Sequence, residues 1–242
     1  MQILILGASG ATGRLLTKEL IARGQAVKII VRSAGSVPED LRASSLLTII
    51  TASVSDLSDD EIAQHIAGCD AVASCLGHNL TFRGLFGPPR RLVTDATRRF
   101  CEAIRNSAPA HPVRFVLMNT TGNSNSDLDE PVSFAQHVVL ALLRLLLPPH
   151  RDNEKAADYL RTAIGQGDQA IEWAAVRPDG LTDEAGVTAY DIHPSPTRSA
   201  IFDAGKTSRH NVAHFMAELI CDNSLWQRWK GAMPVIYNRV TG

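Results

Sequence analysis

The segment ILILGASGATGRLL, residues 3–16, limits the fold more than any other part of the chain. An apolar strand runs directly into three glycines, and these open an amphipathic helix. In that context each glycine has a task. Gly7 permits the tight turn, Gly10 lets backbone approach a pyrophosphate, and Gly13 allows the helix to pack closely on the strand. The N-terminus of the helix adds unpaired N–H groups and a positive dipole end. The turn Gly7, Ser9, Gly10, Ala11, Thr12 and Gly13 therefore reads as a diphosphate cradle, with a purely structural glycine turn as the competing reading.

Beyond this turn, apolar β-type runs alternate with helical patterns. The runs are Ile3–Leu6, Val27–Val31, Thr48–Thr51, Ala71–Cys75, Val113–Met118 and Ile171–Val176, and helices are expected at about 12–23, 59–67, 90–106, 133–147, 152–164 and 208–221. This alternation predicts an α/β fold, a doubly wound parallel sheet of Rossmann type in a single domain over 1–242. Several runs are continuously apolar, as strands covered on both faces must be. Loops at about 78–89, 120–130 and 186–207 follow strands, where open α/β sheets bind ligands, and are the expected walls of a small-molecule substrate pocket.

Composition narrows the function classes. With 24 basic and 25 acidic residues the net charge is -1, which argues against a nucleic-acid partner. The four cysteines, Cys69, Cys75, Cys101 and Cys221, form no CxxC pair and read as reduced thiols of a cytoplasmic protein. Residues MQILILGASG lack the basic start of a signal peptide. The apolar stretch Val138–Leu147 contains Arg144 and falls short of the roughly twenty residues that span a bilayer. It is expected as a helix in the core or at a subunit interface, with a homodimer left open and no membrane partner.

The turn is spaced GxxGxxG, and GASGATG resembles the turn of extended and atypical short-chain dehydrogenase/reductases. Further segments extend the likeness: Val31-Arg32-Ser33, Asn119-Thr120-Thr121-Gly122, Val176-Arg177-Pro178-Asp179-Gly180 and Ser208-Arg209-His210-Asn211-Val212-Ala213 resemble the NmrA-like, biliverdin reductase B (flavin reductase) branch. The resemblance implies an NAD(P)-binding oxidoreductase and covers nearly the whole length.

An NAD site usually carries an acid at the end of the second strand, whereas arginine there accommodates a 2′-phosphate. This chain has Arg32, a planar, permanently charged fork suited to phosphate, so NADP (NADPH) is the expected cofactor. Arg14 is a second candidate contact. By resemblance, Ser53 and Val54 stand beside the adenine, in a place where the family often has Asp-Val, and Leu76-Gly77 floors the nicotinamide ribose. Pro178, in the motif after the sixth strand, is expected at the cofactor as well.

Short-chain dehydrogenases typically use Tyr-x-x-x-Lys. The residues four before Lys18, Lys28, Lys155, Lys206 and Lys230 are Arg14, Gly24, Arg151, Phe202 and Trp226, none a tyrosine. The resemblance then implies a reductase giving hydride to a flavin-like or conjugated acceptor, with orientation carrying the rate. Thr120 falls at the family's serine and Asn153 at a histidine of its flavin reductases; both are expected near the chemistry, although Thr120 also suits a strand-end backbone bond. His150 is a fallback proton donor. Arg83, Arg90 and Arg91 are candidates for attracting an anionic substrate, with solvation the competing reading. His210 and His214 have HExxH spacing without its glutamate, so no metal is expected. Trp226 and Trp229 read as surface-helix or edge packing. A non-catalytic NADP-binding redox sensor of the NmrA-like type is the alternative function.

Overall fold

The computed structural model describes residues 1–78, 87, 89–130 and 133–239. Six parallel strands follow the expected runs: β1 (Gln2–Leu6), β2 (Ala26–Val31), β3 (Leu47–Thr51), β4 (Ala71–Ser74), β5 (Val113–Met118) and β6 (Ile171–Pro178). Two short strands, β7 (Gly180–Thr182) and β9 (Lys206–Ser208), pair with each other. The remaining two, β8 (Tyr190–His193) and β10 (Val235–Asn238), extend the main sheet, whose order is β3-β2-β1-β4-β5-β6-β10-β8. β10 is parallel to β6 and antiparallel to β8.

The order turns at β1, which pairs with β2 on one side and β4 on the other. A crevice therefore opens at the carboxyl ends of these strands, the switch point at which doubly wound sheets take ligands. Ile3, Leu4, Ile5, Leu6, Ala71, Val72 and Ala73 are fully buried, which explains the continuous apolar runs.

Helices cover both faces. One core joins β1 and β2 to α1 (Ala11–Ala22) and, from the C-terminal end, a helix at Arg209–Cys221; the other joins β4 and β5 to the helices between them and β6. Among the described residues the helices after α1 are, in chain order, α2 (Glu39–Arg42), α3 (Asp59–Ile66), α4 (Leu92–Ser107), α5 (Phe134–Leu146), α6 (Pro148–Tyr159), α7 (Arg209–Cys221) and α8 (Asn223–Trp229), with a π turn at Leu160–Ile164 closing α6.

Helix α5 does not pack wholly into the core, one of the two places expected for it: Leu140 is buried, but Phe134 is 84% and Leu145 78% exposed, so its apolar row lies on the surface of this chain. Two expectations need correction. Trp226 and Trp229 are buried rather than superficial. The Arg114 guanidinium stacks 5.2 Å from the Trp226 ring centroid, and the Trp226 indole donates to Glu172, so polar partners allow it inside. The stretch 186–207 is only partly loop, since it contains β8 and the start of β9.

Candidate active site

β1 ends at Leu6 and the chain reverses at Gly7, whose φ of +77° lies in the left-handed region. A Cβ on Gly7 would stand 2.6 Å from the Cys75 carbonyl oxygen, and one on Gly13 would stand 2.2 Å from the Gly7 carbonyl oxygen. Neither position accepts a side chain. The turn closes when the Gly10 amide donates to Gly7 O at 3.0 Å, and α1 begins when the Arg14 amide donates to Gly10 O at 2.9 Å. The amides before Arg14 have no intrahelical acceptor.

No side chain caps α1, and no acidic residue stands in its first turn. Four other helices are closed there by a side chain: α3 carries a complete Ser58/Glu61 capping box, while Ser133, Ser208 and Asp222 cap α5, α7 and α8. The open end of α1 therefore offers N–H groups and a positive dipole end to an anion.

A cavity of about 560 Å³ lies in front of this turn. Gly7, Ser9 and Gly10 line it from the turn, Arg32 from the end of β2, Ser53 and Val54 after β3, and Leu76 and Gly77 after β4. Eight of the expected cofactor residues thus share one wall. Arg32 and Arg14 are both exposed, but only Arg32 is on that wall. Where the family often has aspartate, the Ser53 and Ser55 hydroxyls stand 2.9 Å apart. Burial pushes the Cys75 thiol up to about 12, so that lining residue is neutral.

Other expected residues lie elsewhere. Ala11 is exposed, while Thr12 and Gly13 are buried behind the turn; none of the three lines the cavity. Pro178 is also off the wall: it is buried at the end of β6 and its carbonyl accepts from the Thr121 amide at 3.1 Å.

Thr120 and Asn153 come together through Asn119, although neither lines the cavity. The Asn119 side chain accepts from the Thr120 amide at 2.8 Å and donates to the Asn153 carbonyl at 3.1 Å. Thr120 Oγ1 accepts from the Gly122 amide at 3.3 Å, the backbone use that competes with a substrate role. His150 approaches the same spot: a Cβ on Gly122 would meet His150 Cε1 at 3.3 Å and Thr120 Oγ1 at 3.7 Å. His150 Nε2 is 3.4 Å from Glu154. Burial alone would raise the Glu154 carboxyl, but His150 and Arg144 outweigh it and hold the group below the usual range.

Of the expected anion-attracting arginines, Arg91 is 3.8 Å from Asp95 and Arg83 lies outside the described residues. His214 Nδ1 is 2.8 Å from the Tyr190 hydroxyl. Among the described residues no group of side chains is placed to hold a metal ion, and no helix is long and apolar enough to cross a membrane.

Two buried ionic centres escaped the sequence reading. Asp152, on α6, accepts from His78 Nε2 and from the Val93 amide, both at 2.8 Å, and from the Thr94 amide at 2.9 Å. It thereby caps α4 from another helix. Burial would raise its carboxyl, but these hydrogen bonds prevail and hold it below the usual range. The signal was available: Asp152 stands in register with buried Ala156 and Leu160, and a carboxylate on an apolar stripe requires a partner.

The second centre is Arg177, fully buried in β6. It donates to Glu130 Oε1 at 2.7 Å and to the carbonyls of Met233 at 2.7 Å, Asn123 at 2.9 Å and Pro194 at 3.2 Å. One guanidinium thus ties the segments around residues 123–130 and 194 to the sheet, and a charge in an apolar strand was again the clue.

The family model described as NAD(P)H-binding matches residues 7–223. No curated protein matches the chain. Among solved structures, a short-chain dehydrogenase/reductase of Veillonella parvula in complex with NADP superposes with TM-score 0.71 at 15% identity, covering 99% of this chain and 95% of that one. An anaerobillin reductase of Escherichia coli O157:H7 gives 0.69 at 17% identity over 100% and 99%. A candidate NADH-flavin reductase of Streptococcus pneumoniae gives 0.66 at 18% over 99% and 100%. At such identities these likenesses speak for the fold, here of Rossmann type. The family match spans most of the chain and includes the glycine turn, the open end of α1 and the cavity they face: the protein belongs to the NAD(P)H-binding family.

Proposed function

We propose that this protein is an NADPH-dependent reductase of the atypical short-chain class, acting on a small conjugated or flavin-like acceptor in the cytoplasm. The observation that carries the reading is the uncapped N-terminus of α1, opening with Arg32 onto one cavity. The residues fit a dinucleotide: side chains are excluded at Gly7 and Gly13, N–H groups are available for a diphosphate, and a guanidinium stands where a 2′-phosphate is read. When bound, the nicotinamide supplies the hydride.

The protein's part is then to hold and orient. Gly10 and the α1 amides bind phosphate, Arg32 selects the phosphorylated ribose, and Leu76-Gly77 bring backbone to the wall. Asn119 holds the backbone of Thr120 and of Asn153, with His150 near the Thr120 hydroxyl, and this cluster is the polar edge offered to the acceptor. Two of the structures similar in fold carry reductase descriptions, which supports this class.

One observation favours the sensor alternative: the Thr120 hydroxyl oxygen already serves the Gly122 amide, and no Tyr-Lys pair replaces it. Steady-state oxidation of NADPH with free FMN and with menadione separates the two. A reductase shows acceptor-dependent oxidation. Tight NADPH binding with no oxidation by either acceptor would leave the sensor.

A further inference from the structure

His78 follows the Leu76-Gly77 wall and itself lines the cavity, together with Gly7, Gly10 and Arg32. Its side chain is only 5% exposed, and that of its partner Asp152 1%. The geometry fixes the histidine's tautomer. Both Asp152 oxygens receive backbone amides, and the carboxylate, held ionised, has no proton to give; His78 Nε2 must therefore carry the hydrogen between them. Nδ1 is then the ring nitrogen that keeps a lone pair.

We propose, building on the NAD(P)H reading, that His78 is a cofactor-contact residue. Seated by Asp152, it takes up a proton at Nδ1 when the phosphate-bearing dinucleotide enters, so that binding tightens as pH falls. An anion in the cavity favours the imidazolium over the neutral ring. Among the described residues, few groups face His78. Asp152 comes from α6 and is committed to Nε2, and α4 contributes only the uncharged amides of Val93 and Thr94. The other titratable or charged lining residues are the neutral thiol of Cys75 and the Arg32 guanidinium. Arg32 opposes a second positive charge in the empty cavity, and the incoming anion offsets that opposition, which is why uptake accompanies binding.

The test uses dissociation constants for NADPH and NADH, from cofactor fluorescence between about pH 6 and 8, and proton uptake, from calorimetry in buffers of different ionisation heat. The variants are His78→Gln, whose amide still donates to Asp152 but cannot titrate, and His78→Asn. One linked proton weakens binding by up to about tenfold per pH unit at its steepest. The native protein should bind more weakly as pH rises, with a slope of at most that size and a proton uptake equal to the slope at each pH, with both cofactors, and folded His78→Gln should show neither with NADH. The 2′-phosphate titrates near pH 6, so with NADPH a slope common to native and variant belongs to the ligand and the difference belongs to His78. A structural role alone would lower the melting temperature and leave the slope unchanged. Equal slopes and equal uptake in native and variant proteins overturn the proposal while the cofactor reading stands. A native protein that binds neither dinucleotide overturns both.

Discussion

Replacing Gly13 by alanine adds one methyl group at a place where the backbone leaves none. Its Cβ would lie 2.2 Å from the Gly7 carbonyl oxygen and 2.9 Å from Ala8 Cα. Both obstacles are main chain, and no rotamer relieves them. The helix must retreat from the turn by most of an ångström before the contact reaches 3.0 Å, the shortest a real Cβ tolerates. Overpacking of this kind costs about 1–3 kcal/mol, which at roughly 2–4 °C per kcal/mol lowers the melting temperature by about 2–12 °C. The α1 amides retreat with the helix. Losing one charge-assisted hydrogen bond to phosphate, about 1.5–3 kcal/mol, weakens NADPH by roughly ten- to a hundredfold. Gly10→Ala is the control, because its Cβ would meet only Gly7 O, at 3.2 Å, and would stand on the cavity wall. That variant should melt within about 2 °C of native, at most about half a kcal/mol of strain, and still lose affinity. Circular dichroism melts and NADPH fluorescence titrations read both quantities. A folded Gly13→Ala protein that binds NADPH within threefold of native, a difference under about 1 kcal/mol, would refute the reasoning.

Arg32→Ala should weaken NADPH by roughly ten- to a hundredfold and leave NADH almost unchanged; an unchanged ratio of the two dissociation constants removes the case for NADP. Arg177→Met strands the buried Glu130 carboxylate and three carbonyls, and breaking such a pair costs about 3–5 kcal/mol. Its melting temperature should fall by about 6–20 °C, and adding Glu130→Gln should recover part of the loss; a single-variant fall under about 2 °C speaks against the pair as a fastening. In acid, Asp152, Glu154 and Glu172 act together, since hydrogen bonds and cations hold all three below the usual carboxylate range despite burial. Depressed carboxyls stabilise fully above their unfolded values, near 4, and lose that contribution as pH falls through the folded ones. Urea midpoints should therefore drop below about pH 4, and Asp152→Asn should flatten the drop.

Strands such as β1, β4 and β6 were legible because burial on both faces forces continuous apolar runs, and the phosphate turn because sterics restrict Gly7 and Gly13 to glycine. Short partners were not legible. β8 and β10 are four residues each and exist through pairing with each other and, for β10, with β6. Local sequence cannot record that. Helix α5 shows the converse: its apolar run suited the core or a subunit interface alike, because hydrophobicity states only that a residue can be buried and not against what.

The centres missed at the site share a different cause. His78 and Asp152 are 74 residues apart, and Arg177 and Glu130 are 47 apart, so no window of sequence contains either pair. One member of each nevertheless left a local mark, a charge in a row of apolar residues. Isolated burial of such a charge costs several kcal/mol, and the fold keeps it only where donors or a counter-ion converge. Asp152 on its helical stripe and Arg177 in its strand therefore each demand a distant partner by position alone. Both pairs fasten chain at the crevice end of the sheet: Asp152 holds His78 on the cavity wall, and Arg177 holds the segment that contains Glu130. Binding residues on loops need such anchors to keep their geometry. A charge breaking an apolar period near the carboxyl end of a strand, or on a helix packed there, thus identifies what positions the site, as the glycine turn identifies what touches the ligand.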